Sequence, residues 1–425
     1  MEKSFRMELA GRPLIVETGK MAKQASGAVL VRYGETVVLV TSTASKEARE
    51  GMDFFPLTVD YEEKMYAVGK MPGGFLRREG RPGNSAILNA RLIDRPIRPL
   101  FDKRCRNDIH VMATVLSVDY DNAPELCGML GASASLGISD IPWDGPIAGV
   151  RVGRIDGQFV INPTQEQLKV STLNITVAGS ETAILMVEGG AQEAPEEDVL
   201  DAIMFGHKTI KELVAFQKKI IEEVGKPKRT LIFPEIPEEI KTAIYAYAER
   251  PLKEAIFNPD KLTREAHMEE VRKEAEAHFK EIYPENGSDI AECLNHLTKE
   301  IVRHMISVDK IRPDGRALDE IRPISCEVGL LSRVHGSALF TRGQTQALTI
   351  TTLAPMSETQ IIDDLTQETE KRYIHQYNFP SYSVGETKSS RGPGRREIGH
   401  GALAERALIP VIPTVEEFPY AIRVV

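Results

Sequence analysis

Over the first sixty residues apolar and polar positions alternate in short runs: Pro13-Leu-Ile-Val-Glu17, Ala28-Val-Leu-Val-Arg32 and Thr36-Val-Val-Leu-Val-Thr41. Runs of this length, rich in β-branched residues and broken by the turn Tyr33-Gly34-Glu35, predict strands of a hairpin or meander. Ile109–Ser117, Gly149–Gly153 and Leu173–Ala178 read as further strands. Leu126–Ile138, where Gly, Ala, Ser and Leu alternate, suits a helix packed tightly on a sheet. Glu196–Glu223 reads as an amphipathic helix with Val199, Leu200, Ile203, Ile210, Leu213 and Val214 on one face. From Pro237 to Met305 the period becomes 3.6 residues, with breaks at Pro251, Pro259 and Pro284-Glu-Asn-Gly287, which predicts three or four helices with solvated charges. Strand-like runs return at Ala338–Thr341 and Ala347–Thr352, a helix is expected over Ala402–Leu408, and the chain stops in the apolar run Tyr420–Val425. A chain ending in a core strand leaves edge hydrogen bonds unpaired, so a piece of something longer is expected.

One hairpin occurs twice. Gly27-Ala-Val-Leu-Val-Arg-Tyr-Gly-Glu-Thr36 returns as Gly336-Ser-Ala-Leu-Phe-Thr-Arg-Gly-Gln-Thr345. Each copy then reaches an arginine pair with a glutamate, Arg77-Arg78-Glu79 and Arg395-Arg396-Glu397, and a spaced proline pair, Pro96/Pro99 and Pro410/Pro413. These landmarks are read as equivalent, and so long a period means two whole domains rather than a solenoid. The first copy runs well past the point where the second stops, so the second is expected to be cut roughly in half.

At 425 residues the chain exceeds one hydrophobic core, and about two to four domains are expected from ~100 to 200 residues each. With 42% hydrophobic and 27% charged residues, no apolar run near the ~18 that a membrane span needs and no charged-then-apolar leader over Met1–Lys20, the expectation is a cytoplasmic protein without membrane contact. Cys105, Cys127, Cys293 and Cys326 form no Cys-x-x-Cys pair and are read as reduced and mostly buried. Cys293 and His296, at i, i+3, are two ligands and make no metal site alone. The formal net charge of -9 disfavours a polyanionic partner until its distribution is read. Residues 77–106 hold nine Lys/Arg against three acids, a local +6 that leaves -15 elsewhere. An acidic body with one basic segment holds phosphates locally without adhering to nucleic acid everywhere.

Two constellations carry candidate chemistry. In Gly73-Gly-Phe-Leu-Arg-Arg-Glu-Gly-Arg-Pro82, Phe75 offers a stacking face and Arg77, Arg78 and Arg81 offer planar forks that match phosphate oxygens, a grip for single-stranded nucleic acid; the competing reading is a surface loop whose arginines pair with acids. In Lys388-Ser-Ser-Arg-Gly-Pro-Gly-Arg-Arg-Glu-Ile-Gly-His400-Gly, a glycine-rich turn leads into a helix, and Arg395, Arg396 and His400 supply charge to a phosphorus centre; the competing reading is a tight turn with arginines on main-chain carbonyls. Gly385-Glu-Thr-Lys388-Ser389 lacks the glycines of a phosphate loop, and no dinucleotide fingerprint follows a strand. Asp363-Asp364 sits at an element boundary, where capping or solvation is expected rather than metal binding.

Gly74-Phe-Leu-Arg-Arg-Glu-Gly-Arg-Pro82, Ala90-Arg-Leu-Ile-Asp-Arg-Pro-Ile-Arg-Pro-Leu-Phe101, Arg312-Pro-Asp-Gly-Arg316 and Gly394-Arg-Arg-Glu-Ile-Gly-His-Gly401, in this order, resemble the polynucleotide phosphorylase family from end to end. The resemblance implies an α/β (α+β) fold of two tandem RNase PH-like domains with mixed sheets and packed helices. These are a first such domain at 1–235, an all-helical linker domain at 236–309 and the N-terminal half of a second at 310–425. It implies a ring-shaped homotrimer that degrades single-stranded RNA from its 3′ end with inorganic phosphate, releases nucleoside diphosphates, runs in reverse as a polymerase, acts in mRNA turnover and has RNA-degradosome-type partners. Carried over by motif, Phe75, Arg77, Arg78 and Arg81 line a channel constriction and hold RNA, while Arg395, Arg396 and His400 contact the scissile and attacking phosphates. The family's Mg2+ or Mn2+ ligands and serine-rich phosphate loop fall beyond Val425, so no metal ligand is expected in this chain, which alone is expected to be inactive. The chain departs from the family at Leu76, where many relatives carry a second aromatic. The first copy reads Asp121-Asn-Ala-Pro-Glu-Leu-Cys127 where a serine run belongs and has no aspartate pair over Leu168–Val177, so it reads as catalytically silent. The competing class is an inactive RNase PH-like RNA-binding or scaffold subunit; hydrolysis is disfavoured because no carboxylate cluster is visible.

Overall fold

The structure, a computed structural model, describes residues 2–48, 54–231, 235–365, 369–389 and 391–425. It divides into two compact units, one made of 1–232, 331–337 and 349–425, the other of 233–330 and 338–348.

In the first unit, β1 (Lys3–Leu9), β2 (Arg12–Thr18), β3 (Gly27–Tyr33), β4 (Thr36–Ala48), β5 (Leu57–Glu62) and, after helix α1 (Asn84–Ile97), β6 (Asn107–Ser117) form a sheet in the order β1-β2-β3-β4-β6-β5. All its pairs are antiparallel except β5 with β6, which leaves β5 as an edge. The alternation of the sequence sets the faces: Val29, Val31, Val38 and Val40 point one way and are fully buried. Helix α2 (Pro124–Ile138) covers them. Its small residues allow close approach, because a Cβ on Gly131 would lie 2.4 Å from Val40 Cγ2. The opposite side of α2 meets a second sheet, of order β10-β9-β7-β8, built from β7 (Ala148–Ile155), β8 (Gln158–Ile161), β9 (Leu173–Gly179), which follows the short α3 (Gln165–Val170), and β10 (Ile184–Ala191). Helix α4 (Glu196–Val224) closes this sheet through Ala202, Gly206, Ile210, Leu213 and Val214. Leu200, expected on its inner face, is 59% exposed.

The second unit holds α5 (Glu238–Ile256), α6 (Lys261–Ile282) and α7 (Gly287–Ser307) around Ile244, Ala248, Leu252, Phe279, Leu294 and Leu297. The break expected at Pro251 does not occur. An interior proline disfavours a helix by about 3 kcal/mol, but the buried stripe Ile244, Ala248, Leu252 and Ile256 runs straight through it and holds the helix together. Strands β11 (Ile324–Val328) and β12 (Gly336–Arg342) pair antiparallel, from Ile324 with Arg342 to Val328 with Ala338.

The rest of the second copy comprises β13 (Thr345–Ala354), β14 (Gln360–Ile362), β15 (Thr369–Lys371), β16 (Tyr373–His375), α8 (Arg395–Leu408) and β17 (Ala421–Val424). Within the first unit β17 pairs antiparallel with β13 and parallel with β16. The duplication is visible in local geometry. Both hairpins turn on a left-handed glycine, Gly34 at φ 57° and Gly343 at φ 60°. Both copies then make a one-turn 3-10 helix closed by a left-handed glycine, Met65–Val68 with Gly69 and Ser381–Val384 with Gly385.

These landmarks correct the register read from sequence. α1 and α8 each have 14 residues, each follows a glycine (Gly83, Gly394), and each runs into a short 3-10 turn. Asn84, Ser85 and Asn89 therefore stand where Arg395, Arg396 and His400 stand, and Pro99, not Pro96, matches Pro410. Arg77-Arg78-Glu79 lies in the loop ahead of α1, so the two arginine pairs are not equivalent. The shared signal was Tyr66-Ala-Val-Gly69 against Tyr382-Ser-Val-Gly385.

Candidate nucleic-acid and phosphate site

Helix α8 begins at Arg395, not at Ala402, so the two arginines and His400 ride on the helix rather than on the turn before it. Successive helical residues are about 100° apart, and residues i and i+4 share a face. This separates Arg395 from Arg396. Arg396 and His400 fall on one stripe, where the Arg396 guanidinium lies 5.5 Å from the Phe379 ring and the His400 imidazole stacks at 4.3 Å on Tyr377. Gly401 is in close contact with Tyr377, its Cβ position 3.2 Å from the Tyr377 Cβ, and Glu405 accepts from Lys371 Nζ at 2.6 Å and from the His375 amide at 3.2 Å.

The stripe of Arg395, Gly399 and Arg406 meets the first copy instead. Arg395 Nη1 donates to the Val59 carbonyl at 2.7 Å, and Nη2 pairs with Asp60 Oδ1. The other Asp60 oxygen bonds His110 Nε2 at 2.9 Å. Burial pushes the Asp60 carboxyl up, but the hydrogen bonds from Arg395 and His110 outweigh it and hold the group below the usual carboxylate range. Arg91 of α1 lies across Gly399, where a Cβ would come within 2.4 Å of its Nε. Glu188 of β10 receives both Arg406 at 3.3 Å and Arg95 at 2.5 Å. Arg395, Arg396 and His400 thus do not converge on one point: two share a face, and the third is spent on the neighbouring copy.

The loop at 73–82 is open. Phe75 is 100% exposed and Leu76 81%, and the Arg77 amide donates to Gly74 O at 2.9 Å with Arg77 itself left-handed at φ 49°. The Arg77 side chain reaches the carbonyls of Pro72 and Gly73 at 3.3 and 3.4 Å. Glu79 accepts from the Met65 amide at 3.2 Å, tying the loop to the 3-10 turn, and backbone hydrogen bonds hold its carboxyl low. Among the described residues Arg78 and Arg81 make no hydrogen bond or ion pair. Three further arginines of the basic segment are neutralised: Arg98 pairs with Asp94 at 2.6 Å, Arg104 with Asp102 at 2.8 Å, and Arg95 with Glu188. In the second constellation Lys388 pairs with Glu386, and Ser390 lies outside the described residues.

In the first copy the matching helix start opens on a cavity of about 870 Å³. Asn84, Ser85 and Asn89 line it together with Glu63, Glu125, Arg151, Asp363 and Asp364. Its cations are matched by acids: Arg151 with Glu125 at 2.5 Å and Arg406 with Glu188. Burial pushes Glu63 up to about 7 against the hydrogen bond from Ser85 at 2.9 Å, and the negative charge of Asp364 and Glu125 adds to the rise. Asp363 takes Lys70 Nζ at 2.8 Å just after β14, the boundary expected for it, in an ion pair rather than a helix cap. Among the described residues no three of His, Cys, Asp and Glu come together as a metal site. Sequence reading missed Asp60 and His110, which look like ordinary outward positions of β5 and β6. It also missed the Tyr377-x-Phe379 pair, an aromatic signal ahead of the glycine-rich stretch.

The sequence profile of the 3′ exoribonuclease family, domain 1, matches residues 10–142 and again 320–425, and that of its domain 2 matches 145–209. A third profile, the RNA-binding domain of polyribonucleotide nucleotidyltransferase, matches 239–317. Polyribonucleotide nucleotidyltransferases are similar over the full chain. That of Heliobacterium modesticaldum is 60% identical over 421 residues, 99% of this chain and 59% of the relative. That of Syntrophomonas wolfei is 60% identical over 423 residues, 100% of this chain and 60% of the relative, and that of Geobacillus kaustophilus is 57% identical over 99% and 58%. The chain thus spans about three-fifths of the length of these relatives. Among solved structures, rice (Oryza sativa) Rrp46 aligns with a TM-score of 0.39 at 14% identity over 52% of this chain and 94% of that one.

Proposed function

Because the chain belongs to the 3′ exoribonuclease family, we propose that it is the N-terminal part of an enzyme that degrades single-stranded RNA from the 3′ end, using inorganic phosphate to release nucleoside diphosphates. The proposal includes the reverse polymerisation, a role in mRNA turnover, a cytoplasmic homotrimer and degradosome-type partners. The observation that carries it is that a duplicated domain bears both an exposed arginine loop and the Arg396/His400 stripe of α8. In this reading Phe75 stacks on a base while Arg77, Arg78 and Arg81 hold backbone phosphates. Arg396, beside the Phe379 ring, presents charge in the first turn of the helix, where anions are favoured, and His400, stacked on Tyr377, lies one turn further along the same face. In-line attack by phosphate on a phosphodiester needs charge neutralisation, positioning and a proton for the leaving oxygen; the arginine serves the first two, and His400 is placed to supply the proton. A divalent cation, Mg2+ or Mn2+ in this reading, would neutralise further charge. The described residues do not fit one, because no three of His, Cys, Asp and Glu come together among them.

A silent role for the first copy is supported by asparagine and serine at the positions equivalent to Arg395, Arg396 and His400. The test is phosphate-dependent diphosphate release from a labelled oligonucleotide by the complete protein. Arg396→Ala and His400→Ala are each expected to lower kcat by roughly 10²-fold or more, the scale of losing one transition-state donor, with circular dichroism unchanged. Release at the wild-type rate refutes the assignment. RNA binding without any release by the wild type favours the scaffold reading.

A further inference from the structure

Strand β5 is the edge of its sheet, so its outward carbonyls have no ladder partner. One of them, Val59 O, is taken by Arg395 Nη1, and the neighbouring Asp60 carboxylate takes Nη2. His110 on β6 fixes the second Asp60 oxygen at 2.9 Å. Arg395 is the first residue of α8, and further along the same face Arg91 fills the groove over Gly399 and Glu188 receives Arg406. The helix carrying Arg396 and His400 is thus pinned to the first copy at its start, middle and end, and the pin at the start is the one next to those two side chains. A guanidinium with one nitrogen on a carbonyl and the other on a carboxylate has little of its fork left for a phosphate.

We infer that Asp60, braced by His110, is a positioning residue supplied by the first copy, and that Arg395 acts as its clamp partner rather than as a phosphate ligand. This rests on the phosphorolytic reading of α8 and deepens it. The silent copy sets the azimuth of the helix, and Arg396 and His400 do the chemistry. Misplacement of reacting groups by about 1 Å is worth on the order of 10²-fold in rate, so a small rotation of α8 suffices.

The decisive experiment is a charge swap in the complete protein. Arg395→Asp and Asp60→Arg are each expected to lower kcat by roughly 10²-fold, with the KM for phosphate little changed. The double variant, which rebuilds the pair with reversed polarity and sets an acid at a helix N-terminus where it is favoured, is expected to recover at least tenfold. An aspartate cannot bind phosphate, so recovery is incompatible with direct contact; a double variant no better than Arg395→Asp overturns the inference. If the swapped protein does not fold, Asp60→Ala, Arg395→Ala and their combination replace it. The clamp requires the combination to be no worse than either single change, whereas a normal rate for Asp60→Ala beside a slow Arg395→Ala overturns it. If the wild type releases no diphosphate, the phosphorolytic reading fails by itself. The clamp is then judged by hydrogen exchange: Asp60→Ala must speed exchange of the α8 amides at 396–400, and unchanged exchange overturns it.

Discussion

Glu63 follows the last residue of β5, its carboxylate bonded by Ser85 at the edge of the first-copy cavity. Burial raises it to about 7, whereas in an unfolded chain it ionises at the ordinary value near 4.3. The folded state therefore holds a proton that the unfolded state has released over that interval. The stability linked to that proton is fully present below the unfolded value and is lost as pH rises through about 7. Glu63→Gln keeps the hydrogen bond and never ionises. We expect it to be more stable than wild type by about 2 kcal/mol at pH 8 and indistinguishable at about pH 3.5, below the unfolded value, as read from urea midpoints. A constant difference at both pH values would show that the effect is steric. Nothing in the string Tyr61-Glu-Glu-Lys64 distinguishes Glu63 from Glu62; its environment comes from α1 and α2, distant in sequence, and so the residue was not legible. Phe75, Arg78 and Arg81 were legible because exposure in a glycine-flanked loop is a local property.

Helices divide in the same way. α2 and α4 could be read because alternating small residues and a 3.6-residue stripe describe the surfaces they meet. α1 was hidden under its arginines and Pro96, although Ala86, Ala90, Ile93 and Ile97 form an inner stripe. The start of α8 was hidden by Gly399 and Gly401, which look like turn residues but are contact glycines, against Arg91 and Tyr377. This gives a sign test. Glycine to alanine inside a helix gains about 1 kcal/mol of propensity, yet at 399 the added carbon would meet Arg91 Nε at 2.4 Å and Cζ at 2.9 Å. We expect Gly399→Ala to be neutral or destabilising in the wild-type background and stabilising by up to about 1 kcal/mol with Arg91→Ala. Equal effects in both backgrounds would mean that Arg91 does not rest on the glycine. The same geometry makes Gly399→Ala a second probe of how α8 is seated, expected to slow turnover more than it alters stability.

For the whole molecule, the duplication was legible in the hairpins because a left-handed turn restricts sequence, but the arginine pairs misled. The Arg-Arg-Glu triplet occurs in both copies without occupying equivalent positions. The charge pattern was half legible too. A count of nine cations against three acids over 77–106 describes composition, and folding then spends Arg95, Arg98 and Arg104 on Glu188, Asp94 and Asp102. The loop arginines Arg78 and Arg81 are outside these pairs, and in the proposed reading salt dependence distinguishes the two sets. Each phosphate contact on single-stranded nucleic acid contributes about 0.7 to the slope of log affinity against log salt. Arg78→Ala and Arg81→Ala are each expected to lower that slope by about 0.7, while Arg98→Ala and Arg104→Ala leave it unchanged because their charges are already balanced within the fold. Phe75→Ala should weaken binding by about 1–3 kcal/mol at every salt concentration without altering the slope, as stacking releases no counterions. A uniform slope loss across all four arginine variants would show that the acidic body is screened and that binding follows total charge, in which case the loop has no special claim on RNA.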